Sequence, residues 1–356
     1  MFQDITIEQL LERRQSDELL LIDVRSPSEF EESTIPGSLN IPIFTDEERK
    51  EVGTLYKQVS IQAAKDKGLE IVSRKLPAFI KQFEALGERP KAVFCWRGGM
   101  RSKTTATVLS LMGIRAQRLV GGYRAYRKWV VSMLDSFQLT SKCIVIHGYT
   151  GTGKTEILRG LAKQGFPVLD LEELAGHRGS IFGHIGKKPS NQKNFESMLI
   201  QELLKYKDAP YLLMEAESKR IGKVVLPDFL VEGKKRGEHY MIEIPWDVRV
   251  RNILNDYKPE EHKEMCMEAF QRIKNRIHTP AAQQIENCLK EERYGEAVSL
   301  LLEYYYDPRY DHAGLQYNGE SRSIQAGSVQ EATDKIAALL RMRTDRANPV
   351  REQVTK

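Results

Sequence analysis

The chain has 356 residues, 41% hydrophobic and 29% charged, with 54 Lys and Arg against 49 Asp and Glu for a formal net charge of +5. At about 100–200 residues per domain this length suggests two domains, the apolar content excludes wholesale disorder, and only 4 cysteines exclude a disulfide scaffold. No apolar run reaches the ~18 residues of a membrane span, and Met1-Phe2-Gln3-Asp4 lacks the basic-then-apolar layout of a signal peptide, so a cytoplasmic protein without membrane association is expected.

In chain order, Leu19-Leu20-Leu21-Ile22 is a run of buried-strand length that ends in Asp23-Val24-Arg25 and Pro27. Ala92-Val93-Phe94 leads into Cys95, and Ala116-Gln117-Arg118-Leu119-Val120 is closed by Gly121-Gly122. Helical patterns over Lys75–Leu86 and Ser102–Met112 lie between them, which predicts parallel strands with crossover helices. The pattern restarts near Ser136–Ser141. Cys143-Ile144-Val145-Ile146-His147 then reads as a buried strand, followed by a Gly-rich loop and a helix over Glu156–Ala162. Phe166–Asp170 and Tyr211–Glu215 are further strand candidates that end in acidic residues. Beyond residue 247 the chain turns mostly helical, best marked at Ala269–Ile277, Ala281–Leu289 and Val329–Met342, and the polar tail Thr344–Lys356 is expected to fray. The expected organisation is α/β throughout: a first domain over 1–135, a linker over 136–141, a second domain over 142–310 and a helical C-terminal extension over 311–356.

Cys95, Cys143, Cys266 and Cys288 form no CxxC pair and no close Cys/His spacing, so any special cysteine acts singly, as a thiol. Cys95 is the candidate, because Trp96, Arg97, Gly98, Gly99, Met100 and Arg101 follow it and lead into a helix. A loop curled on its glycines would turn backbone N–H groups toward the sulfur, and these, the helix N-terminus and the arginines all favour a thiolate or a bound anion. The plainer alternative is a buried cysteine that closes a strand, which is the expected role of the other three.

Gly148-Tyr149-Thr150-Gly151-Thr152-Gly153-Lys154-Thr155 fits G-x-x-x-x-G-K-[ST] with an apolar strand before it and an amphipathic helix after it. Such a loop wraps its N–H groups around phosphates, with Gly148, Gly151, Thr152 and Gly153 shaping it, Lys154 adding positive charge and the Thr155 hydroxyl able to reach Mg²⁺. Asp170 and Glu215, each after a strand candidate, are the acids that would support the metal, or else ordinary polar strand ends. A diphosphate on a substrate other than ATP would satisfy the same loop.

Leu21-Ile22-Asp23-Val24-Arg25-Ser26-Pro27, Ile35-Pro36-Gly37-Ser38-Leu39-Asn40-Ile41-Pro42, the loop at Cys95 and Leu119-Val120-Gly121-Gly122-Tyr123 resemble the rhodanese family over about 120 residues. That resemblance implies a rhodanese-like N-terminal domain in which Cys95 accepts a chalcogen as a persulfide or perselenide. The loop departs from the common pattern, since Arg101 stands six rather than five positions after Cys95, a length that also resembles rhodanese-fold phosphatases. Phe94 stands where such phosphatases usually carry a histidine. A rhodanese-like domain followed by a P-loop domain, with Gly53-Thr54-Leu55-Tyr56-Lys57-Gln58, Leu171–Ser180 and Glu215–Gly222, resembles the bacterial tRNA 2-selenouridine synthase family over most of the chain. This implies replacement of sulfur by selenium in wobble 2-thiouridine of tRNA, with selenophosphate as donor and an S-geranyl intermediate made from geranyl diphosphate. No organic prosthetic group is expected, and Mg²⁺ would assist at the phosphate loop. Other readings are an ATP-coupled sulfurtransferase, a Cys-x5-Arg phosphatase with a regulatory nucleotide domain, and a nucleotide-switched RNA-binding module.

His177, Arg178 and Ser180 form a cluster that a plain loop would not need, and with Glu215 they are candidates to line the active site. Candidate contacts to tRNA phosphates are Lys187-Lys188, Lys219-Arg220, Lys234-Lys235-Arg236, Arg249, Arg251, and Arg272, Lys274 and Arg276, each alternatively a solvated face. Trp246 and Tyr304, Tyr305 and Tyr306 would stack on bases or pack in the core.

Overall fold

The computed structural model describes residues 2–15, 19–314 and 321–347. These fall into two compact units, residues 2–136 with 193–200, and residues 137–192 with 201–347.

In the first unit the elements are β1 (Gln3–Ile5), α1 (Ile7–Gln15), β2 (Leu20–Asp23), α2 (Pro27–Glu32), β3 (Leu39–Asn40), α3 (Asp46–Gln58), α4 (Ile61–Glu84), β4 (Lys91–Phe94), α5 (Met100–Leu111), β5 (Ala116–Leu119) and α6 (Gly122–Asp135). The strands form one parallel sheet in the order β1-β5-β4-β2-β3. Buried on both faces, β4 is apolar after its first residue, as a central parallel strand must be. Thr45 and Glu48 cap α3 reciprocally, Glu48 N–H donating to Thr45 Oγ1 (3.3 Å) and Thr45 N–H to Glu48 Oε2 (2.8 Å). The pattern expected from Lys75 begins earlier: α4 starts at Ile61 and passes through Pro77. A proline inside a helix forfeits a backbone bond, but here Ile71, Phe79, Ile80 and Phe83 are buried in the core along the helix and hold it together.

At the carboxyl end of β2, Asp23 lies opposite Phe94 of β4. Arg25 is fully buried there, its Nη2 donating to Asp23 Oδ2 at 2.6 Å and to the Ser33 carbonyl at 2.5 Å, with the guanidinium 4.5 Å from the Tyr123 ring centre. Asp-x-Arg is thus an internal clamp beside the end of β4, where Cys95 begins its loop.

The second unit contains β6 (Lys142–His147), α7 (Lys154–Lys163), α8 (Leu171–Ala175), the ends of α9 (Gln192–Lys205), whose residues 193–200 group with the first unit, β7 (Tyr211–Glu215), β8 (Arg220–Ile221), β9 (Val224–Val225), α10 (Asp228–Lys235) and β10 (Glu238–Glu243). It continues with α11 (Trp246–Tyr257), α12 (Lys263–Gln271), α13 (Thr279–Lys290), α14 (Tyr294–Leu301), α15 (Asp307–Gly314), β11 (Ser321–Gln325) and α16 (Val329–Ala347). Its main sheet is parallel, ordered β11-β10-β6-β7, and β8 and β9 make a small antiparallel pair.

Several expectations need correction here. Phe166–Asp170 is no strand: only Val168 bridges, to Leu213, because Pro167 has no N–H for a ladder and Asp170 instead caps α8 by accepting from Glu173 N–H at 2.8 Å. The stretch expected as one helix over Ala269–Ile277 is the end of α12 followed by a 3₁₀ turn at Lys274–Arg276. Past residue 310 the chain does carry a helix, α16, but it also supplies β11, an edge strand of the main sheet. Ile324, Ala332, Ile336, Ala337 and Leu340 are buried with Ile157, Leu158 and Leu161 of α7 in one core, so this stretch belongs to the second unit. Of the tail expected to fray, residues 344–347 continue α16, and residues 348–356 lie outside the described residues. A second cluster, including Phe182, Phe270, Ile285 and Leu301, builds a helical lobe from α12 to α14. Between α14 and α15, residues Leu302–Tyr306 form a π-helical turn, a feature common at functional sites.

Candidate active sites

In the first unit Cys95 is buried at the end of β4, and its Sγ lies 3.2 Å from Ser102 Oγ in the first turns of α5. The loop is pinned through its carbonyls. Tyr123 N–H donates to the Cys95 carbonyl (2.9 Å), Arg124 N–H to that of Trp96 (2.9 Å), and Arg118 Nη1 to that of Gly98 (3.1 Å). Among the described residues, none of the N–H groups from Trp96 to Gly99 finds a protein acceptor, and the first N–H groups of α5 are free by helix geometry. That inventory is what an anion-binding loop requires. Gly122 makes the close approach possible: with φ at +58°, a side chain there would put Cβ 2.1 Å from the Cys95 carbonyl.

The arginines are placed differently from the expectation that they would favour the thiolate directly. Arg97 is exposed, as are Trp96, Gly99 and Met100. Arg101 is bound by Glu29, Nη2 donating to Oε1 at 3.1 Å and Nη1 to Oε2 at 2.5 Å. Burial pulls the Glu29 carboxyl up, but the hydrogen bond and charge of Arg101, the Ser26 N–H and the charge of Arg49 together outweigh it and hold the group low. Ser102 lies outside the candidates read from the sequence; its place in the first turn of α5 is what brings it to the sulfur. Cys143, Cys266 and Cys288 are all buried, and burial pushes the Cys143 and Cys266 thiols up to about 11, as inert core cysteines.

In the second unit the phosphate loop joins β6 to α7 at the carboxyl ends of the parallel strands. Thr152 turns inward, its Oγ1 donating to the Tyr149 carbonyl at 2.9 Å, and Lys154 Nζ donates to the Gly148 carbonyl at 2.9 Å. Burial pulls the Lys154 ammonium down, but the charges of Tyr310, Glu215, Glu217 and Glu172 outweigh it and hold the group charged. Gly151, at φ +83°, lies so close to α11 that a Cβ would fall 2.6 Å from the Arg249 carbonyl.

The acids converge beside this loop. Glu172, Glu215 and Glu217 each offer an oxygen within 4.8 Å of the others, and Thr155 Oγ1 donates to Glu172 Oε2 at 3.0 Å. Burial, then repulsion by Glu215 and Glu217, pushes Glu172 up to about 9; burial raises Glu215 to about 7 against the pull of Lys154, and burial also raises Glu217. Glu215 Oε1 is buried without a hydrogen-bond partner among the described residues. Three crowded carboxylates, one with an orphaned oxygen, and a hydroxyl are the hard oxygen donors that suit Mg²⁺. Asp170 stands outside this group, capping α8 and pairing with Arg159 at 3.2 Å. Glu172 and Glu217 were not singled out in the sequence; the spacing of Glu217 two residues after Glu215 is the only local signal for it.

One pocket gathers Gly151, Gly153, Lys154, Thr155, Glu172, Glu215 and Glu217 with Arg178, Gly179, Ser180, Lys187, Tyr305, Tyr306, Arg309 and Tyr310. Of the expected cluster, Arg178 and Ser180 line it, while His177 packs against Gly183 and Gly222 behind. Arg178 is itself anchored, donating to the carbonyls of Ile185 and Asp256 at 2.7 Å each. Gly148 and Thr152 shape the loop without lining the pocket.

Arg249 corrects an expectation. It is buried, with Nε donating to the Thr150 carbonyl (2.9 Å) and the guanidinium bidentate on Asp307 (2.6 and 2.9 Å), so it straps the phosphate loop to α15 and is not a surface contact for RNA. Lys234 is likewise buried and donates to the Glu217 carbonyl. Arg251 and Arg220 are exposed and do not line the pocket, Arg251 pairing with Asp247 at 3.2 Å. Tyr305 is buried and Tyr304 and Trp246 partly exposed.

A family model described as the tRNA 2-selenouridine synthase AAA domain matches residues 141–342, and the rhodanese-like domain model matches residues 6–128. A tRNA 2-selenouridine synthase of Bdellovibrio bacteriovorus is 34% identical over 336 residues, covering 82% of this chain and 87% of that one. The protein of that name from Nitrosomonas eutropha is 31% identical over 367 residues, covering 89% and 94%. The one from Nitrosomonas europaea is 39% identical over 243 residues, covering 67% and 63%. Among the described residues no helix is long and apolar enough to cross a membrane.

Proposed function

The chain belongs to the tRNA 2-selenouridine synthase family, and from that premise we propose that it replaces sulfur by selenium in the wobble 2-thiouridine of tRNA in the cytoplasm. Selenophosphate is the selenium donor, and an S-geranyl-2-thiouridine made from geranyl diphosphate is the intermediate. The observation that carries this reading is the presence, in one chain, of a buried thiol in an anion-ready loop and a phosphate loop beside a crowded acidic cluster.

The two half-reactions have different needs. In the first, the 2-thio sulfur attacks C1 of geranyl diphosphate, a C–S bond forms, the C–O bond breaks and pyrophosphate leaves. Lys154 and the loop N–H groups would bind the diphosphate and stabilise the charge that grows on the departing oxygens. Thr155, Glu172, Glu215 and Glu217 would hold Mg²⁺, which when bound supplies further charge neutralisation to the leaving group. In the second, the selenium of selenophosphate adds to C2 of the base and geranylthiol departs, a far better leaving group than sulfide; water then takes the phosphoryl group as the P–Se bond breaks, releasing phosphate. Cys95 serves the entry of selenium, with the Ser102 hydroxyl within hydrogen-bond distance of the sulfur and the unpaired loop N–H groups receiving the anionic donor. A Cys-x5-Arg phosphatase would need Arg101 turned to its substrate, whereas Arg101 is committed to Glu29.

The test is mass spectrometry of nucleosides from 2-thiouridine tRNA incubated with the protein and selenophosphate, with and without geranyl diphosphate. Selenouridine is expected from the wild type, with Cys95→Ser blocking selenium entry and Lys154→Ala blocking geranylation. Unchanged nucleosides in every reaction would overturn the reading.

A further inference from the structure

Beside the phosphate-loop pocket lies a second cavity whose walls are Phe182, Ile253, Leu254, Val298, Leu301 and Leu302. Thr150, Ile253, Tyr257 and Tyr306 line both spaces, so the two are neighbours across a shared wall. That wall is amphipathic. Tyr257 and Ser180 share a hydrogen bond at 3.0 Å between their hydroxyls, which fixes the polar end of this ring on the side of the phosphate loop, while the ring also forms part of the apolar cavity. Among the described residues no charged side chain lines the apolar space. Its sulfur, Cys266, is a buried core thiol.

We propose that this cavity seats the hydrocarbon chain of an allylic diphosphate whose phosphates lie on the loop at Gly151–Thr155. The inference rests on the reading of geranyl diphosphate as the loop's ligand and gives that ligand's other half a place. A nucleoside would bring a base edge and ribose hydroxyls into walls whose polar side-chain groups are the hydroxyls of Thr150, Tyr257, Tyr294 and Tyr306, that of Tyr257 already engaged with Ser180, leaving most of those groups without partners. A branched chain of ten carbons brings none and gains from each methylene removed from water. The lining comes from α11 at Ile253, Leu254 and Tyr257, and from α14 and the turn after it at Val298, Leu301, Leu302 and Tyr306. These are the i, i+3 and i+4 spacings by which one face of a helix is presented.

The experiment is calorimetric titration of the full chain, with Mg²⁺ present, by inorganic pyrophosphate, dimethylallyl diphosphate, geranyl diphosphate and ATP. Affinity is expected to rise with chain length, geranyl diphosphate binding about 30-fold or more tighter than dimethylallyl diphosphate, which is about 2 kcal/mol at ~1.4 kcal/mol per tenfold. Val298→Trp, at a partly buried position, is expected to cut geranyl diphosphate affinity at least tenfold while pyrophosphate affinity stays within threefold. The ligand series on the wild type carries the test even if that variant misfolds. Equal affinities along the series, with Lys154→Ala still abolishing geranyl diphosphate binding, would overturn the cavity assignment and leave the phosphate-loop reading intact. Geranyl diphosphate binding that ignores Lys154→Ala would overturn the reading and the inference together. ATP bound more tightly than geranyl diphosphate, and lost in Val298→Trp, would make the space a nucleoside site and refute the proposal.

Discussion

Replacing Arg249 separates two accounts of this residue by which quantity changes, the stability of the second unit or the salt dependence of tRNA binding. Arg249 is 6% exposed, and its guanidinium makes two bonds to Asp307 while Nε holds the Thr150 carbonyl. Arg249→Gln leaves the Asp307 carboxylate, whose side chain is 20% exposed, without its countercharge and a phosphate-loop carbonyl without its donor. Breaking one side of a buried pair costs about 3–5 kcal/mol, and the partial exposure of Asp307 argues for the lower end, about 3 kcal/mol. Asp307→Asn should cost less, and the double variant should fall short of the sum by about 1–3 kcal/mol, since both changes remove one interaction. Urea unfolding of the four proteins, followed by probes in the second unit, measures this cycle. Arg249→Lys should not rescue it, because an ammonium cannot reproduce the bidentate fork. A tRNA contact would behave otherwise: stability would hold within about 0.5 kcal/mol, and the salt dependence of tRNA binding would weaken by about one unit of slope. That second pattern would refute the strap.

Further outcomes follow from other buried groups. Asp23→Asn should destabilise the first unit by about 3 kcal/mol or more, because the fully buried Arg25 would lose its partner; calorimetry of the full chain checks this, and a first-unit transition unmoved by the change would contradict it. His147, at the end of β6, shares a hydrogen bond of 2.7 Å with His239, and burial, then the charges of His239, Lys154 and Lys234, push it down to about 4. Since the unfolded imidazole titrates near ~6.5, the unfolded state binds the proton first as the medium acidifies. The stability from neutral His147 is therefore present above about pH 6.5 and is lost as pH falls toward about 4, by up to roughly 3 kcal/mol. Urea midpoints of wild type and His147→Asn between pH 7.5 and 4.5 should converge in acid, and parallel curves would argue against this. Truncation after residue 310 removes Ile324, Ala332, Ile336, Ala337 and Leu340 from the core of the second unit. At about 1.5–3 kcal/mol for each large side chain this approaches the whole stability of a domain, so limited proteolysis should digest the second unit and spare the first; a protease-resistant second unit would count against it.

What was legible in the sequence is what local backbone chemistry dictates. The Cys95 loop and the phosphate loop carry their glycines, strand and helix within a short segment, so each could be read from neighbours in sequence. Their partners could not. Ser102 meets the sulfur only because α5 begins at Met100, and Glu29 reaches Arg101 from 72 positions away. Arg249 looked like a surface cation because its partner Asp307 lies 58 positions on, beyond any periodicity. β11 escapes a sequence reading for a different reason. β11 is an edge strand in which only Ile324 is buried, so its sequence Ser-Arg-Ser-Ile-Gln shows the polar character of an edge and not the apolar run of a central strand. Phe166–Asp170 is deceptive in the opposite direction, since Val168 and Leu169 are buried without a strand ladder.

The phosphate loop shows why the C-terminal third of the chain had to be read with it. From α11, Asn252 Nδ2 donates to the Gly151 carbonyl at 2.9 Å and Arg249 holds that of Thr150. From α15, Asp307 holds Arg249 in turn, and from α16, Val329 packs so close to Gly153 that a Cβ there would sit 2.5 Å from its methyl. A loop whose N–H groups must face phosphates has to tie down its carbonyls elsewhere, and here residues 100 or so positions away do so. The same helical stretch brings Tyr305, Tyr306, Arg309 and Tyr310 to the pocket through its π-helical turn. On the reading proposed above, the motif supplies the phosphate-binding loop, while the segments packed against it from α11, α15 and α16 would decide which phosphate ester fits.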